Sequence, residues 1–214
     1  MRAMIIACAL AVGLLLACDS AKASWMTPTG MGPNEVVTTH IAGLLADGLQ
    51  VYDGPEMLTY NGQVYAGYCV DLNHYAGATE VTEVSPLTLT NGLKVSYLLE
   101  TYGGSATTNL SAAALQTAIW EVISEPAGGP FDATSGTFSI SGNAEVAAAA
   151  NALLATIPAL YTPLGCPTVL HSDTAQSFVI DLPGHIPVPE PATMGLLTVG
   201  GMFLSRAGRR RRAD

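Results

Sequence analysis

Alternation of apolar and polar residues predicts several short β-strands, most of them in the first half of the chain. Strands are expected over residues 51–53 and 57–60, with a Gly-Pro bend between them. Asn61-Gly62 is the strongest short hairpin signal in the sequence, and it joins the second strand to a third over residues 63–70. A closing strand is expected over residues 177–182, where the alternation returns.

The predicted hairpin strand carries a cysteine near its end. Successive side chains of a strand point to opposite faces of the sheet, so Gly67 and Cys69 share one face and Tyr68 points to the other. Because Gly67 has no side chain, we expect open space beside the cysteine sulfur.

Apolar residues recur at helical spacing in later segments of the chain. The first predicted helix covers residues 92–102 and ends at a Gly-Gly pair. The second begins at Asn109 or Ser111, either of which can cap its first turn, and runs to about Ser124. The third is the alanine-rich segment 143–157.

The second predicted helix is apolar over most of its circumference, and a glutamine lies within that apolar surface. Its two neighbouring stripes at helical spacing are Leu115, Ile119 and Val122, and Ala112, Gln116, Trp120 and Ile123. A buried amide without a hydrogen-bond partner costs about 1–3 kcal/mol. Gln116 therefore needs either backbone partners or a chemical role.

The N-terminus predicts a secretory signal over residues 1–23. Arg2 supplies the basic start, a short apolar run follows, and Ala21-Lys22-Ala23 fits a cleavage site between small residues. The alternative is a lipoprotein signal, in which Leu15-Leu16-Ala17-Cys18 makes Cys18 the lipidated residue. Either signal predicts export.

The C-terminus carries a second targeting signal. Pro189-Glu190-Pro191 precedes a short apolar stretch, which is followed by the cluster Arg209, Arg210, Arg211 and Arg212. This order resembles the PEP-CTERM sorting signal that exosortases process in Gram-negative bacteria. The resemblance implies a transient insertion of the tail into the membrane, with the arginines held on the cytoplasmic side. A permanent tail anchor is the alternative, although the apolar run is short and contains glycines.

Charge is distributed unevenly between the ends and the middle of the chain. The net charge is −9, and Lys94 is the only one of the eight lysines and arginines that lies outside the two targeting segments. An acidic surface repels phosphate backbones, which argues against nucleic-acid binding. The sequence has no glycine-rich phosphate loop and no metal-like spacing of Cys or His, so no cofactor and no metal are expected.

Four cysteines occur, but Cys8 and Cys18 lie in the signal, which leaves Cys69 and Cys166 for the exported chain. In an exported protein, two cysteines predict a disulfide on number alone. That hypothesis gives a non-catalytic matrix or exopolysaccharide-binding protein stabilised by a Cys69–Cys166 bridge.

Two short motifs favour a different chemistry. Cys69 lies in Tyr68-Cys69-Val70, and Gln116 begins a Gln-x-x-Ile-Trp sequence that ends at Trp120. Both resemble motifs of the thioester domains found at the tips of bacterial surface adhesins, and the resemblance covers residues 65–124. It implies that the cysteine thiol and the glutamine amide form an internal thioester with loss of ammonia. An amine on a partner molecule can open that bond and become covalently attached.

This chemistry needs supporting residues. Tyr68 and Trp120 flank the reacting residues in sequence and are expected to cover the bond. The thiol must lose a proton and the departing nitrogen must gain one. His74, Asp71 and Glu121 are the candidate proton carriers.

A cysteine hydrolase that uses Cys69 with His74 or His171 is a third hypothesis. The sequence contains no recognisable local signature for such an enzyme. It would also leave the motif around Gln116 without an explanation.

Together these patterns predict one domain between two targeting segments: a signal peptide over 1–23, a thioester-type domain over 24–183, and a linker with the sorting signal over 184–214. The expected fold class is α+β, with an antiparallel β-sandwich or barrel and an inserted helical subdomain. The expected function is a surface adhesin that captures a protein lysine or an amino sugar without enzymatic turnover. Its expected location is the outer surface or extracellular matrix of a Gram-negative-type bacterium.

Overall fold

Six strands close into an antiparallel barrel in the computed structural model, which describes residues 24–163 and 167–181. The strands in chain order are β1 (Ser24–Met31), β2 (Glu35–His40), β3 (Gln50–Asp53), β4 (Glu56–Tyr60), β5 (Gln63–Cys69), β6 (Thr79–Val84), β7 (Ser139–Ser141), β8 (Pro167–His171) and β9 (Phe178–Asp181). The order around the barrel is β1-β4-β5-β9-β8-β6, and β6 pairs with β1 to close it. Strands β3, β2 and β7 form a separate antiparallel sheet in that order.

The predicted hairpin joins β4 to β5. Tyr60 pairs with Gln63 across the turn, and both turn residues have positive φ, 49° at Asn61 and 76° at Gly62. This is the conformation that a two-residue hairpin of matching twist requires, and Asn-Gly adopts it at low cost. The turn therefore fixes the register of the strand that carries the cysteine.

Apolar side chains from several strands form the core of the barrel. Alternation along β4 buries Leu58 and Tyr60, and these pack in one cluster with residues of β1, β8 and β9. Burial of such side chains contributes roughly 25 cal/mol per Å² of apolar surface removed from water. Closing the barrel and filling its core therefore stabilise each other.

Three α-helices of the described chain lie between β6 and β8: α1 (Gly92–Tyr102), α2 (Asn109–Ser124) and α3 (Ala144–Leu154). Helix α2 packs against both others, and every residue from Ala112 to Val122 is buried. The N-cap of α2 is Thr108, one residue before Asn109, which is the earlier of the two predicted caps. Its Oγ1 accepts a hydrogen bond from Ser111 N–H at 3.2 Å, and its own N–H donates to Ser111 Oγ at 3.0 Å.

The predicted α+β class is confirmed, and the sheet forms the closed barrel rather than the sandwich. The described residues, 24–163 and 167–181, belong to one compact unit. Among them, no helix combines the length and apolar character that crossing a bilayer requires.

The space expected beside Gly67 is filled by neighbouring side chains. A Cβ atom at Gly67 would overlap Leu58 Cδ1 and would lie 3.2 Å from Phe178 Cβ. The prediction of open space at this position is therefore wrong. Leu58 of the adjacent strand packs over the glycine, so the missing side chain permits a close-packed core.

Replacing this glycine is expected to destabilise the barrel. Gly67→Ala inserts a methyl group into packed core, and we expect the free energy of unfolding to fall by about 1–3 kcal/mol. Chemical denaturation measures the change. The control is Gly104→Ala, because no atom lies within 4 Å of a Cβ at that position. Equal loss of stability in both variants would contradict the packing argument.

Candidate functional site

Strand β5 extends beyond the last pair that it makes with β4. That ladder ends at Glu56 opposite Gly67, whereas Cys69 pairs with β9 and with no residue of β4. Val70 N–H donates to Ser177 O at 3.0 Å, and alternate residues of an antiparallel strand direct their backbone groups to opposite neighbours. The N–H and C=O of Cys69 therefore face the place that a longer β4 would occupy.

The side-chain amide of Gln116 occupies that place. Cys69 N–H donates to Gln116 Oε1 at 2.8 Å, and Gln116 Nε2 donates to Cys69 O at 2.9 Å. Both residues are buried, so the amide satisfies two backbone groups that would be costly to leave unpaired. Gln116 thus has backbone partners, and both belong to Cys69. Cys69 is the residue that the thioester-like motifs predict as the partner of Gln116.

The Cys69 side chain is a free, buried thiol. Its sulfur donates to Asp71 O at 3.1 Å and accepts from Asp71 N–H at 3.4 Å. Burial, with smaller contributions from the Asp71 and Glu56 carboxylates, raises the pKa of this thiol to about 12. The thiol is therefore protonated near neutral pH, and reaction through the thiolate needs a base.

The indole of Trp120 lies near this sulfur, one helical turn after Gln116. Its N–H is close enough to oppose the rise in the Cys69 pKa. It makes no hydrogen bond of ordinary geometry there, however, and it has no other partner among the described residues. A buried donor without an acceptor costs about 1–3 kcal/mol. Negative charge that develops on the sulfur would give this donor a partner.

A largely apolar cleft of about 270 Å³ opens onto the Cys69 thiol. Gln116 is fully buried and does not line it, so the amide is not exposed to water in the cleft. The lining includes the buried side chains of Leu72, Trp120 and Phe178 and the exposed side chains of Leu45 and Tyr52.

His74 lines the same cleft from the loop after β5. Its Nδ1 lies 2.7 Å from Asp71 Oδ2, so the carboxylate orients the ring and leaves Nε2 available for proton transfer. Asp71 contacts the thiol through its backbone and the imidazole through its carboxylate. Two of the three candidate proton carriers are therefore gathered at Cys69.

Tyr68 and Glu121 are placed away from the cleft. Tyr68 points to the opposite face of β5, where it is buried with Leu98 and Leu115, and this burial raises its pKa to about 12. Glu121 accepts a hydrogen bond from Asp132 N–H at 2.7 Å, on another side of α2. The structure gives Tyr68 a position in the helix-facing core rather than over the sulfur, and it gives Glu121 a role in holding the loop after α2.

Two carboxylates near the site were not predicted from the sequence. Glu56, at the start of β4, lines the cleft. Asp53 is fully buried and accepts from Thr117 Oγ1 at 2.6 Å, and burial raises its pKa well above the usual value. Alternation along β4 contains a signal for Glu56, because the other residues on its face belong to the apolar core. The sequence contains no comparable signal for Asp53.

Several predicted residues lie outside the described part of the chain. They are the signal peptide with Cys18, the second cysteine Cys166, and the sorting residues Pro189, Glu190, Pro191, Arg209, Arg210, Arg211 and Arg212. His171 is described, and it lies exposed at the end of β8 with its Nε2 3.2 Å from Asp173 Oδ1. It is not part of the cleft, so its position gives no support to a Cys69–His171 pair.

Residues 187–212 match the PEP-CTERM protein-sorting motif. The match contains the Pro-Glu-Pro sequence and the arginine cluster, and it confirms the predicted sorting signal. No curated protein and no solved structure matches the chain. The motif indicates an exported protein that is processed by an exosortase and sorted through the cell envelope to a surface or exopolysaccharide-associated location.

The buried Glu121 carboxyl predicts a pH-dependent stability. Burial is the main cause that raises its pKa from 4.5 to about 7. Between these values the folded protein holds a proton that the unfolded chain has released, so stability falls as the pH rises through this window. Glu121→Gln keeps an acceptor for Asp132 N–H and carries no charge. We expect it to flatten this fall and to raise the melting temperature above pH 7 by roughly 2–5 °C.

Thermal unfolding measured across the same pH window checks the prediction. The control is Glu145→Gln, because Glu145 is exposed in the first turn of α3. If both variants keep the pH dependence of the original protein, then Glu121 is not its source.

Proposed function

We propose that Cys69 and Gln116 form an internal thioester in the exported protein, and that this bond captures an amine on a surface or matrix molecule. The observation that carries the proposal is the pair of hydrogen bonds between the Gln116 amide and the Cys69 backbone. The thiol beside this pair opens onto a cleft. The sorting motif supports an extracytoplasmic location in which foreign amines are available.

Formation of the bond exchanges a C–N bond for a C–S bond. Cys69 Sγ attacks Cδ of Gln116, the amide nitrogen leaves as ammonia, and the thiol proton ends on that nitrogen. Cys69 N–H already donates to Gln116 Oε1 at 2.8 Å, so it would polarise the carbonyl and stabilise the oxygen as negative charge develops there. The unpartnered Trp120 N–H would donate to the sulfur as its proton is lost.

His74 is the proton carrier that we assign to this step. The thiol has a pKa of about 12, so its proton must be removed as the sulfur attacks. Asp71 holds the His74 ring at 2.7 Å, and the ring lines the cleft onto which the thiol opens. His74 would take the thiol proton and return it to the departing nitrogen.

The surroundings favour a bond that persists until a partner arrives. Gln116 is fully buried behind an apolar cleft, which limits attack by water. Lys94 is the only lysine that follows the signal peptide. Its Nζ lies 5.4 Å from the centre of the Phe131 ring and 3.3 Å from Asn91 Oδ1, and Lys94 does not line the cleft. The lysine that opens the bond therefore has to come from another molecule.

Capture breaks the thioester and forms an amide. The amine nitrogen attacks the Gln116 carbonyl carbon, the C–S bond breaks, and the sulfur leaves with a proton as the Cys69 thiol. Gln116 remains as a substituted amide that carries the partner. Each chain reacts once, so the protein is an adhesin rather than an enzyme that turns over, and its partner is a protein lysine or an amino sugar.

A cysteine hydrolase is the second candidate, because the His74–Asp71 pair lies at the same cleft as Cys69. The thiol, however, donates to a backbone carbonyl rather than to the imidazole. The pairing of Gln116 with the Cys69 backbone would have no role in hydrolysis. A disulfide would require Cys166, which lies outside the described residues, and Cys69 is free in this structure.

Amine capture should depend on both reacting side chains. Incubation with methylamine is expected to label Gln116 in the original protein and in neither Cys69→Ala nor Gln116→Ala, because the electrophile needs both atoms. Peptide mapping by mass spectrometry locates the label. Gln63→Ala is the control and should still be labelled at Gln116, because Gln63 is exposed at the start of β5.

The two variants differ in their effect on folding. Gln116→Ala leaves the N–H and C=O of Cys69 without their partner, at a cost of roughly 1–3 kcal/mol. Cys69→Ala keeps both backbone hydrogen bonds and is the cleaner test, with circular dichroism to check the fold. Labelling of Gln116 that persists in Cys69→Ala would rule out the thioester.

A further inference from the structure

Among the described residues that line the cleft over Cys69, Glu56 is the one that carries a carboxylate. Glu56 begins β4 and shares the strand face of Leu58 and Tyr60, which are buried in the barrel core. Its charge therefore lies at the end of an otherwise apolar face, where the barrel interior meets the cleft.

The Glu56 carboxylate is half-buried and has no partner among the described residues. Within the described residues it makes neither a hydrogen bond nor an ion pair. Its backbone neighbours in the ladder, Met31 of β1 and Gly67 of β5, carry no charge. Burial raises the pKa of this carboxyl. A partly buried carboxylate without a partner is stabilised by a cation that enters the cleft.

The charge of Glu56 also acts on the reacting sulfur. Burial is the main cause of the raised pKa of the Cys69 thiol, the Asp71 carboxylate adds to it, and the Glu56 carboxylate adds the smallest part. During capture the sulfur leaves with developing negative charge, which an isolated carboxylate disfavours. A cation bound at Glu56 would cancel this repulsion, so only a positively charged partner would assist its own capture.

We propose that Glu56 is the specificity-determining residue of this site, and that its carboxylate binds the ammonium form of the amine to be captured. The inference rests on the proposed thioester and adds a selection rule to it. Primary alkylammonium groups react, whereas neutral and anionic nucleophiles gain nothing from the site. Exclusion of hydroxide by the same charge protects the bond before capture.

The proton balance of this step is simple. The bound ammonium gives one proton to the Glu56 carboxylate and becomes a neutral amine. Its nitrogen then attacks the Gln116 carbonyl carbon, the C–S bond breaks, and the second proton moves from nitrogen to sulfur. Glu56 returns its proton to solvent. The other titratable groups that line the cleft are Tyr52, Cys69, His74 and Tyr75, with Asp71 bound to His74.

The test compares Glu56→Gln with the original protein and with Glu80→Gln, whose carboxylate is exposed on β6. Intact mass first establishes that each chain has lost one ammonia. Capture rates are then measured near neutral pH with two probes of similar size, methylamine, which is cationic, and hydroxylamine, which is neutral. We expect Glu56→Gln to slow capture of methylamine by at least about tenfold and to change capture of hydroxylamine by less than about twofold.

Added salt provides a second measurement on the same chains. It should slow methylamine capture in the original protein and in Glu80→Gln, and much less in Glu56→Gln, because salt screens the attraction. An equal effect of Glu56→Gln on both probes, or no effect on either, would overturn the inference. Failure of Glu56→Gln to lose ammonia would assign this residue to bond formation and would overturn it too. If the original chain keeps its ammonia, it is the proposed thioester that fails.

Discussion

The candidate site depends on the N–H and C=O of Cys69, two backbone groups of β5 that have no hydrogen-bond partner in the neighbouring strand β4. Strand β5 continues past the end of β4, and the N–H and C=O of Cys69 are paired by the side chain of Gln116 instead. Leaving both groups unpaired in the core would cost several times RT. This requirement fixes helix α2 against the barrel, and a second buried contact, from Thr117 to Asp53, holds the same helix to β3. Helix α2 also packs against α1 and α3. The hydrogen bonds between Gln116 and the Cys69 backbone therefore connect the helices to the barrel.

The same pairing prepares the chemistry that we propose. The N–H that satisfies the Gln116 oxygen is also the donor that would stabilise an oxyanion, and it is already in place before any reaction. Burial keeps the thiol protonated and the amide dry, whereas the cleft exposes only the sulfur side to a partner. In the proposed reaction, negative charge on the sulfur would give the unpaired Trp120 N–H an acceptor.

Local signals in the sequence predict part of this arrangement. The Asn61-Gly62 hairpin and the span of α2 follow from turn chemistry and apolar periodicity, and the structure confirms both. Strands β1, β2, β6 and β8 were not predicted. The pairing of β1 with β6, which closes the barrel, joins segments far apart in sequence. The prediction of open space beside Gly67 was wrong for a similar reason. The space is filled by Leu58, which belongs to another strand. The proximity of Gln116 to Cys69 was expected from the motifs. Alternation along β4 also contains a signal for Glu56, whereas only the tertiary fold brings Asp53 into contact with Thr117 of α2.

The most direct test of the account is the intact mass of the exported protein, purified without reducing agent or amine buffers. The thioester predicts a mass lower than that of the processed sequence by one ammonia, with Cys69 unreactive toward thiol reagents. It also predicts that hydroxylamine restores a reactive thiol. An unchanged mass with a reactive Cys69 would contradict the thioester. A mass lower by two hydrogens, with Cys69 and Cys166 in one cross-linked peptide, would contradict it equally.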